Sequence, residues 1–201
     1  ASWVVIFATV DKTKGRAGHR AFVVEKGTPG FTVGKLEEKM GLRASETAEL
    51  VLDNCRVHQD TLLGGEAYYE GKEGFMGAMK TFDTTRPMVA AMATGIARAA
   101  YEKAVEFTKQ NFELGRPIAR YRYVEELIAR SKRKIEASRL LVHRAAWMAD
   151  AELPNAKEAS MSKAFAARAA TDVLADLVQV MGAAGAVADN FVEKWFRDIK
   201  V

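Results

Sequence analysis

The sequence predicts an α+β fold: part of an antiparallel β-barrel or sandwich over residues 1–73, followed by an antiparallel four-helix bundle over residues 74–201. Three observations carry this. The first third of the chain consists of short runs rich in β-branched and aromatic residues, separated by turn-forming clusters. After "LLGG" at 62–65 the texture changes to Ala, Met, Glu, Lys and Arg, with apolar residues at helical spacing. Strands that follow one another without intervening helices argue against a parallel sheet with crossovers.

Four strand-like runs come first: "WVVIFATV", "RAFVVE", "GFTVGKLEEK" and "ETAELVLDNCRV". Between them lie "DKTKGRAGH", "KGTPG" and "MGLRAS", which is turn chemistry. The first helical run carries Phe75, Met79, Phe82, Met88, Met92 and Ile96 and ends near Lys109. A second carries Val124, Leu127, Ile128, Ile135 and Val142; a third carries Met161, Phe165, Ala169, Val173, Leu177 and Val180. "GRPI" and "LPNA" separate these runs, "MGAAGAVADN" closes the third, and "FVEKWFRDIKV" forms a short fourth helix. Frequent small residues in the third run let it pack close to its neighbours.

A chain of 201 residues has enough apolar content for a real core, and no apolar run reaches membrane-spanning length. The single cysteine, Cys55, excludes an internal disulfide framework and fits a reducing compartment. A net charge of +4 mildly favours anionic partners. The sequence opens inside a strand-like pattern with no initiator methionine, so a piece of a longer polypeptide is expected.

The stretch "FDTTRPMVAA" at 82–91 sets an acid, two threonines, an arginine and a proline inside an apolar helical run. Pro87 has no N–H and its ring presses on the preceding turn. Either one helix ends near Phe82 and another starts with Pro87 in its first turn, or a single helix bends where a ligand needs Asp83, Thr85 and Arg86. Other catalytic signatures are missing. The histidines at 19, 58 and 143 are scattered and there is no cysteine pair, which argues against a metal site. Neither a Walker loop nor a Rossmann fingerprint is present, and "MGAAGAV" follows a helix, where it reads as a helix stop. The basic run with Arg130, Lys132, Arg133, Lys134 and Arg139 has no interleaved aromatics to stack bases, so nucleic acid is not the expected partner.

Ordered motifs across the chain carry a resemblance: "KMGLRASETAELVLDNCRV" and "LLGG", "GFMGAMKTFDTTRPMVAA", "GRPI", "RAAWMAD", "ASMSKAFAARAATDVLADLVQVMGAAG" and "VEKWFRDIKV". Together they resemble the acyl-CoA dehydrogenase family over essentially the whole length. The resemblance implies most of a middle β domain and most of a C-terminal four-helix bundle, with an N-terminal helical domain and a C-terminal tail outside this sequence. It implies FAD as cofactor and α,β-dehydrogenation of an acyl-CoA thioester, with electrons passed to an electron-transferring flavoprotein. Assembly as a homodimer or homotetramer, or with a related subunit, is implied, and so is a bacterial cytoplasmic or mitochondrial matrix location. Phe82, Asp83, Thr85 and Arg86 match the segment that contacts the pantetheine and coenzyme A portion. Such a ligand presents amides and phosphates, which suit a carboxylate acceptor and a guanidinium fork.

This sequence departs from the family pattern in three places. Relatives whose base lies on the first bundle helix carry glutamate where Thr85 stands, so the base is expected beyond Val201. The flavin-contacting segment reads "NFELG": Asn111 stands where the family has an arginine, with Glu113 and Leu114 following, then Tyr121, and Arg122 where glutamine is usual. The loop at Gln179, Gly182 and Ala183 has an alanine at its second glycine position, adding a methyl where a ligand approaches the backbone. Two functions remain open: a flavin-dependent acyl-CoA dehydrogenase, or a partner-dependent or non-catalytic acyl-CoA-binding subunit with a degenerate flavin site.

Overall fold

The structure, a computed structural model, describes residues 1–70 and 73–200. They fall into two compact units: Ala1–Glu38 with Ala44–Phe82, and Lys39–Arg43 with Asp83–Val201.

In the first unit, β1 (Trp3–Thr9) and β2 (His19–Glu25) pair antiparallel, from Trp3 opposite Glu25 to Thr9 opposite His19. The turn between them runs through a 3-10 segment, Lys12–Gly18, started by Asp11, whose side chain accepts the Thr13 N–H at 2.9 Å. Gly18 is required there, because a Cβ would lie 2.1 Å from the Asp11 carbonyl oxygen. A second antiparallel pair joins β3 (Phe31–Leu36) to β4 (Ala48–Leu52), with an irregularity between Val33 and Leu36. The four expected strands are thus present, two to a ladder. The segment after β4 folds back onto β2: Phe22 bridges Leu62, and the Tyr69 hydroxyl accepts the Ala21 N–H and donates to the Leu63 carbonyl.

The second unit is helical. Helix α1 runs Glu73–Gln110 without interruption, so Pro87 lies inside one helix and starts no new one. α2 spans Arg122–Asp150, α3 Ala156–Met181 and α4 Val192–Asp198. A stripe of alanines on α1 (Ala93, Ala97, Ala100 and Ala104) repeats every three to four residues and lets its backbone approach the other helices closely. Against it pack Ile135 of α2, Val173, Leu174 and Leu177 of α3, and Val192 of α4. Between α1 and α2 the chain adds a small hairpin, β5 (Phe112–Glu113) and β6 (Arg116–Pro117), which the sequence pattern did not announce.

Ion pairs tie α2 to α3 outside the core. Lys134 donates to Asp172 at 2.9 Å, and Arg130 holds Asp176 through two nitrogens. The Lys134 hydrogen bond, reinforced by its charge and opposed by partial burial, holds the Asp172 carboxyl below its ordinary range.

Two stability predictions follow from this packing. Leu174 is fully buried at the junction of the helices, so Leu174→Ala should destabilise the protein by about 2–5 kcal/mol, read as a lower urea midpoint with unchanged slope. A carboxyl whose folded pKa is depressed contributes stability above its unfolded pKa and loses it as pH falls through the folded value. Stability should therefore drop below about pH 4, and Asp172→Asn should shrink the difference between urea midpoints at pH 7 and pH 3; an unchanged difference would remove this pair from the acid response.

Candidate functional site

The candidate residues form two groups. Phe82, Asp83, Thr85 and Arg86 share one side of α1, since residues three and four apart on a helix lie over one another. Arg86 Nη1 donates to Asp83 Oδ1 at 2.7 Å, a helical i,i+3 pair. The side chains keep 37% and 22% of their exposure, so the pair is formed yet within reach of a ligand. Pro87, the next residue, is buried. Because Pro87 has no N–H, the Asp83 carbonyl lacks its usual helical donor, and the turn that carries the charges is also the turn with a missing backbone bond.

Phe82 opens onto a cavity of about 700 Å³ in the first unit, lined also by Val5, Phe7, Tyr68, Phe75 and His19. Most of these walls are aromatic or aliphatic. His19 brings an imidazole whose Nδ1 lies 3.3 Å from the Arg16 carbonyl oxygen, and the Arg16 guanidinium sits 4.9 Å over the Phe75 ring. The result is an apolar slot with an imidazole in its wall and a cation beside it. Sequence reasoning missed Val5, Phe7, His19 and Tyr68 as site residues. They come from β1, β2 and the 3-10 turn Glu66–Tyr69, which only folding brings together.

The second group lies at the far end of α1. Glu113 and Arg116 close the β5–β6 hairpin through Leu114 and Gly115, both at positive φ (47° and 80°), a two-residue turn. The Tyr121 hydroxyl donates to the Glu113 carbonyl at 2.7 Å, and Arg116 stacks 3.9 Å over the Tyr121 ring. Val124 and Leu127 of α2 pack on Val180 of α3, with Ile118 and Tyr121 against them. This small cluster sets Tyr121 and Arg122 at the same end of the bundle as Gln179, Gly182 and Ala183. Gly182 ends α3 with φ 57° and ψ −135°, and nothing lies within 4 Å of the place a Cβ would take. Gln179 and Ala183 are exposed beside it.

An exposed end with an open glycine backbone and a side-chain amide fits a flavin nucleotide. The charges there suit its diphosphate less well. The Asn111 side-chain amide turns back to the Phe107 carbonyl at 2.8 Å. Arg122 stands almost wholly in solvent and makes an exposed i,i+4 pair with Glu126 at 3.0 Å, which offsets its charge locally. Leu114, at the tip of the hairpin, is 89% exposed.

Among the described residues the two groups do not meet. From Arg86 to Gln110 the helix rises roughly 36 Å at 1.5 Å per residue. The basic run on α2 is largely neutralised: Arg130, Lys132, Lys134 and Arg139 each pair with a carboxylate. That is a solvated, ion-paired face, poorly suited to tracking a phosphate backbone. Among the described residues no group of three or more His, Cys, Asp or Glu is placed to hold a metal, and no helix is long and apolar enough to cross a membrane.

Comparison with known proteins is consistent along the whole chain. Residues 72–201 match the model of the acyl-CoA dehydrogenase C-terminal domain, and residues 1–55 match the middle domain. An acyl-CoA dehydrogenase of Bacillus subtilis is 44% identical over 197 residues, covering 98% of this chain and 51% of the relative. The structure of butyryl-CoA dehydrogenase from Megasphaera elsdenii superposes with a TM-score of 0.93 at 40% identity, covering all of this chain and 51% of that one. A structure described as the electron transferring flavoprotein of Acidaminococcus fermentans superposes with a TM-score of 0.94 at 40% identity, with the same coverage. The chain spans about half the length of the curated relatives it matches.

Proposed function

The chain belongs to the acyl-CoA dehydrogenase family, and on that footing we propose that it works within a longer polypeptide that dehydrogenates an acyl-CoA thioester between its α and β carbons. FAD would be the hydride acceptor and an electron-transferring flavoprotein the electron partner. The observation that carries this reading is the Asp83–Arg86 pair on α1; the first unit by itself carries an apolar cavity that Phe82 lines. An acyl-CoA has an apolar chain, amides along its pantetheine arm and phosphates at its far end. The cavity suits the first of these. Asp83 offers an acceptor to the pantetheine amides, and Arg86 offers a fixed cation to the polar end.

Gln179, the Gly182 backbone and Tyr121 would hold the flavin nucleotide. Thr85 cannot act as the proton acceptor, since a hydroxyl is far too weak a base at neutral pH. The carboxylate that takes the α-proton is therefore assigned beyond Val201. Because the two groups lie roughly 36 Å apart along α1, the complete site is proposed to draw on two copies of the chain, in a homodimer or homotetramer. One observation favours a second reading, in which a related subunit or no flavin at all completes the site: Asn111 turns its amide inward, and Arg122 is held by Glu126.

In full-length protein, Arg86→Ala should weaken acyl-CoA binding by about 1.5–3 kcal/mol, the scale of a lost charge-assisted hydrogen bond, as read by calorimetric titration. Unchanged affinity in a folded variant would refute the assignment. For the cofactor, the unmodified homomer should lose FAD on dialysis more readily than the Asn111→Arg variant, because an arginine fork binds a diphosphate bidentately. Equal retention by both would show that other groups already supply that contact.

A further inference from the structure

The β3–β4 connection and the last turn of α4 form a joint between segments more than 150 residues apart. Asp198 ends α4 and is only 6% exposed. One of its carboxylate oxygens accepts the Leu42 N–H at 2.8 Å, and the other takes the Lys194 ammonium. Next to it, Arg197 donates through Nη1 to the Met40 carbonyl at 2.9 Å, while Nε and Nη2 hold Glu193 at 2.8 and 3.1 Å. Gly41, between these contacts, approaches so closely that a Cβ would lie 2.4 Å from the Arg197 carbonyl oxygen and 2.5 Å from the Asp198 Cα. Leu42 takes φ 46° to present its N–H. Hence Lys39–Arg43, flanked in sequence by β3 and β4, belongs to the same compact unit as the bundle.

A buried carboxylate is costly unless its oxygens are partnered. Here the partners come from two separate segments, so the low-energy arrangement exists only when both are in register. Helix α4 has seven residues. Val192, Trp195 and Phe196 anchor it to the core by apolar contacts, which are non-directional and leave a short helix free to roll. The hydrogen bonds at Asp198 and Arg197 are directional and sit at the end from which the chain leaves.

Resting on the assignment of the base beyond Val201, we propose that Asp198 is a positioning residue: with Gly41 it fixes the direction in which the chain leaves α4, and so the reach of the base to the substrate α-proton. Asp198 acts through this joint, since its carboxylate oxygens are taken by the Leu42 N–H and Lys194. A base displaced by about 1 Å loses on the order of 100-fold in rate while binding is untouched.

The test uses the full-length protein with an artificial electron acceptor. Asp198→Ala removes both acceptors, and Gly41→Ala pushes the joint apart from its other side. Each should lower kcat about 10- to 100-fold, with KM for acyl-CoA and FAD content close to wild type; the thermal midpoint falls as well, because Asp198→Ala leaves the Leu42 N–H without its acceptor and Gly41→Ala forces the backbone apart. The double variant should be little worse than the poorer single one, because both act on one joint. Asp198→Asn, which keeps an acceptor for the Leu42 N–H, should recover part of the rate, and it carries the test by itself if the alanine variants do not fold. A wild-type kcat in Asp198→Ala or Gly41→Ala overturns the proposal. So does a loss of rate that follows loss of FAD, or one that disappears when each folded variant is assayed well below its own thermal midpoint. Turnover by a chain ending at Val201 with FAD added would instead overturn the placement of the base, and this role with it; the truncation is a separate experiment, so the two failures are told apart.

Discussion

The continuity of α1 through Pro87 is the constraint on which the rest of the molecule depends. A proline inside a helix removes one hydrogen bond and crowds the preceding turn, at a cost of about 3 kcal/mol or more in an isolated helix. Here Pro87 is buried, and the turn before it is braced by the Asp83–Arg86 pair. Packing therefore outweighs the local preference. One helix carries the candidate substrate residues near the cavity wall at Phe82 and ends at the hairpin of candidate cofactor residues. A break at Pro87 would free these two groups from each other; continuity fixes them far apart.

That separation shapes the functional proposal. A helix that holds two parts of a site roughly 36 Å apart cannot close them around one small substrate, and the proposed assembly of two copies rests on that distance. The exposed, bare character of the hairpin end agrees with this. Leu114 lies at the tip of a tight turn with 89% of its surface open, and a Cβ at Gly182 would meet nothing within 4 Å. At the joint around Asp198, directional hydrogen bonds hold a helix too short to orient itself.

Much of this was legible in the sequence, for local reasons. The four strands show their β-branched residues and turns, and the three long helices show their apolar periodicity. The nature of Pro87 was not legible, because the same proline serves as a helix start when exposed and as a tolerated interior residue when packing covers it. The β5–β6 hairpin was hidden because "LG" is a poor turn signature: leucine rarely takes positive φ, and an Asn-Gly or Asp-Gly pair would have marked it. Among the candidate site residues, the Asp83–Arg86 pair was readable from i,i+3 spacing. The cavity around Phe82 and the Asp198–Leu42 contact were not, since their members lie in separate elements with no shared pattern.

The central claim is that this chain supplies part of a site where an acyl-CoA is dehydrogenated at the expense of a flavin. It is tested most directly by anaerobic titration of the FAD-loaded full-length protein with a series of acyl-CoAs, following the visible absorbance of the flavin. Bleaching that saturates at one thioester per flavin, with the matching enoyl-CoA recovered, is the expected result. Tight thioester binding with an unchanged oxidised spectrum across the whole series would contradict it and identify an acyl-CoA-binding subunit without dehydrogenase chemistry.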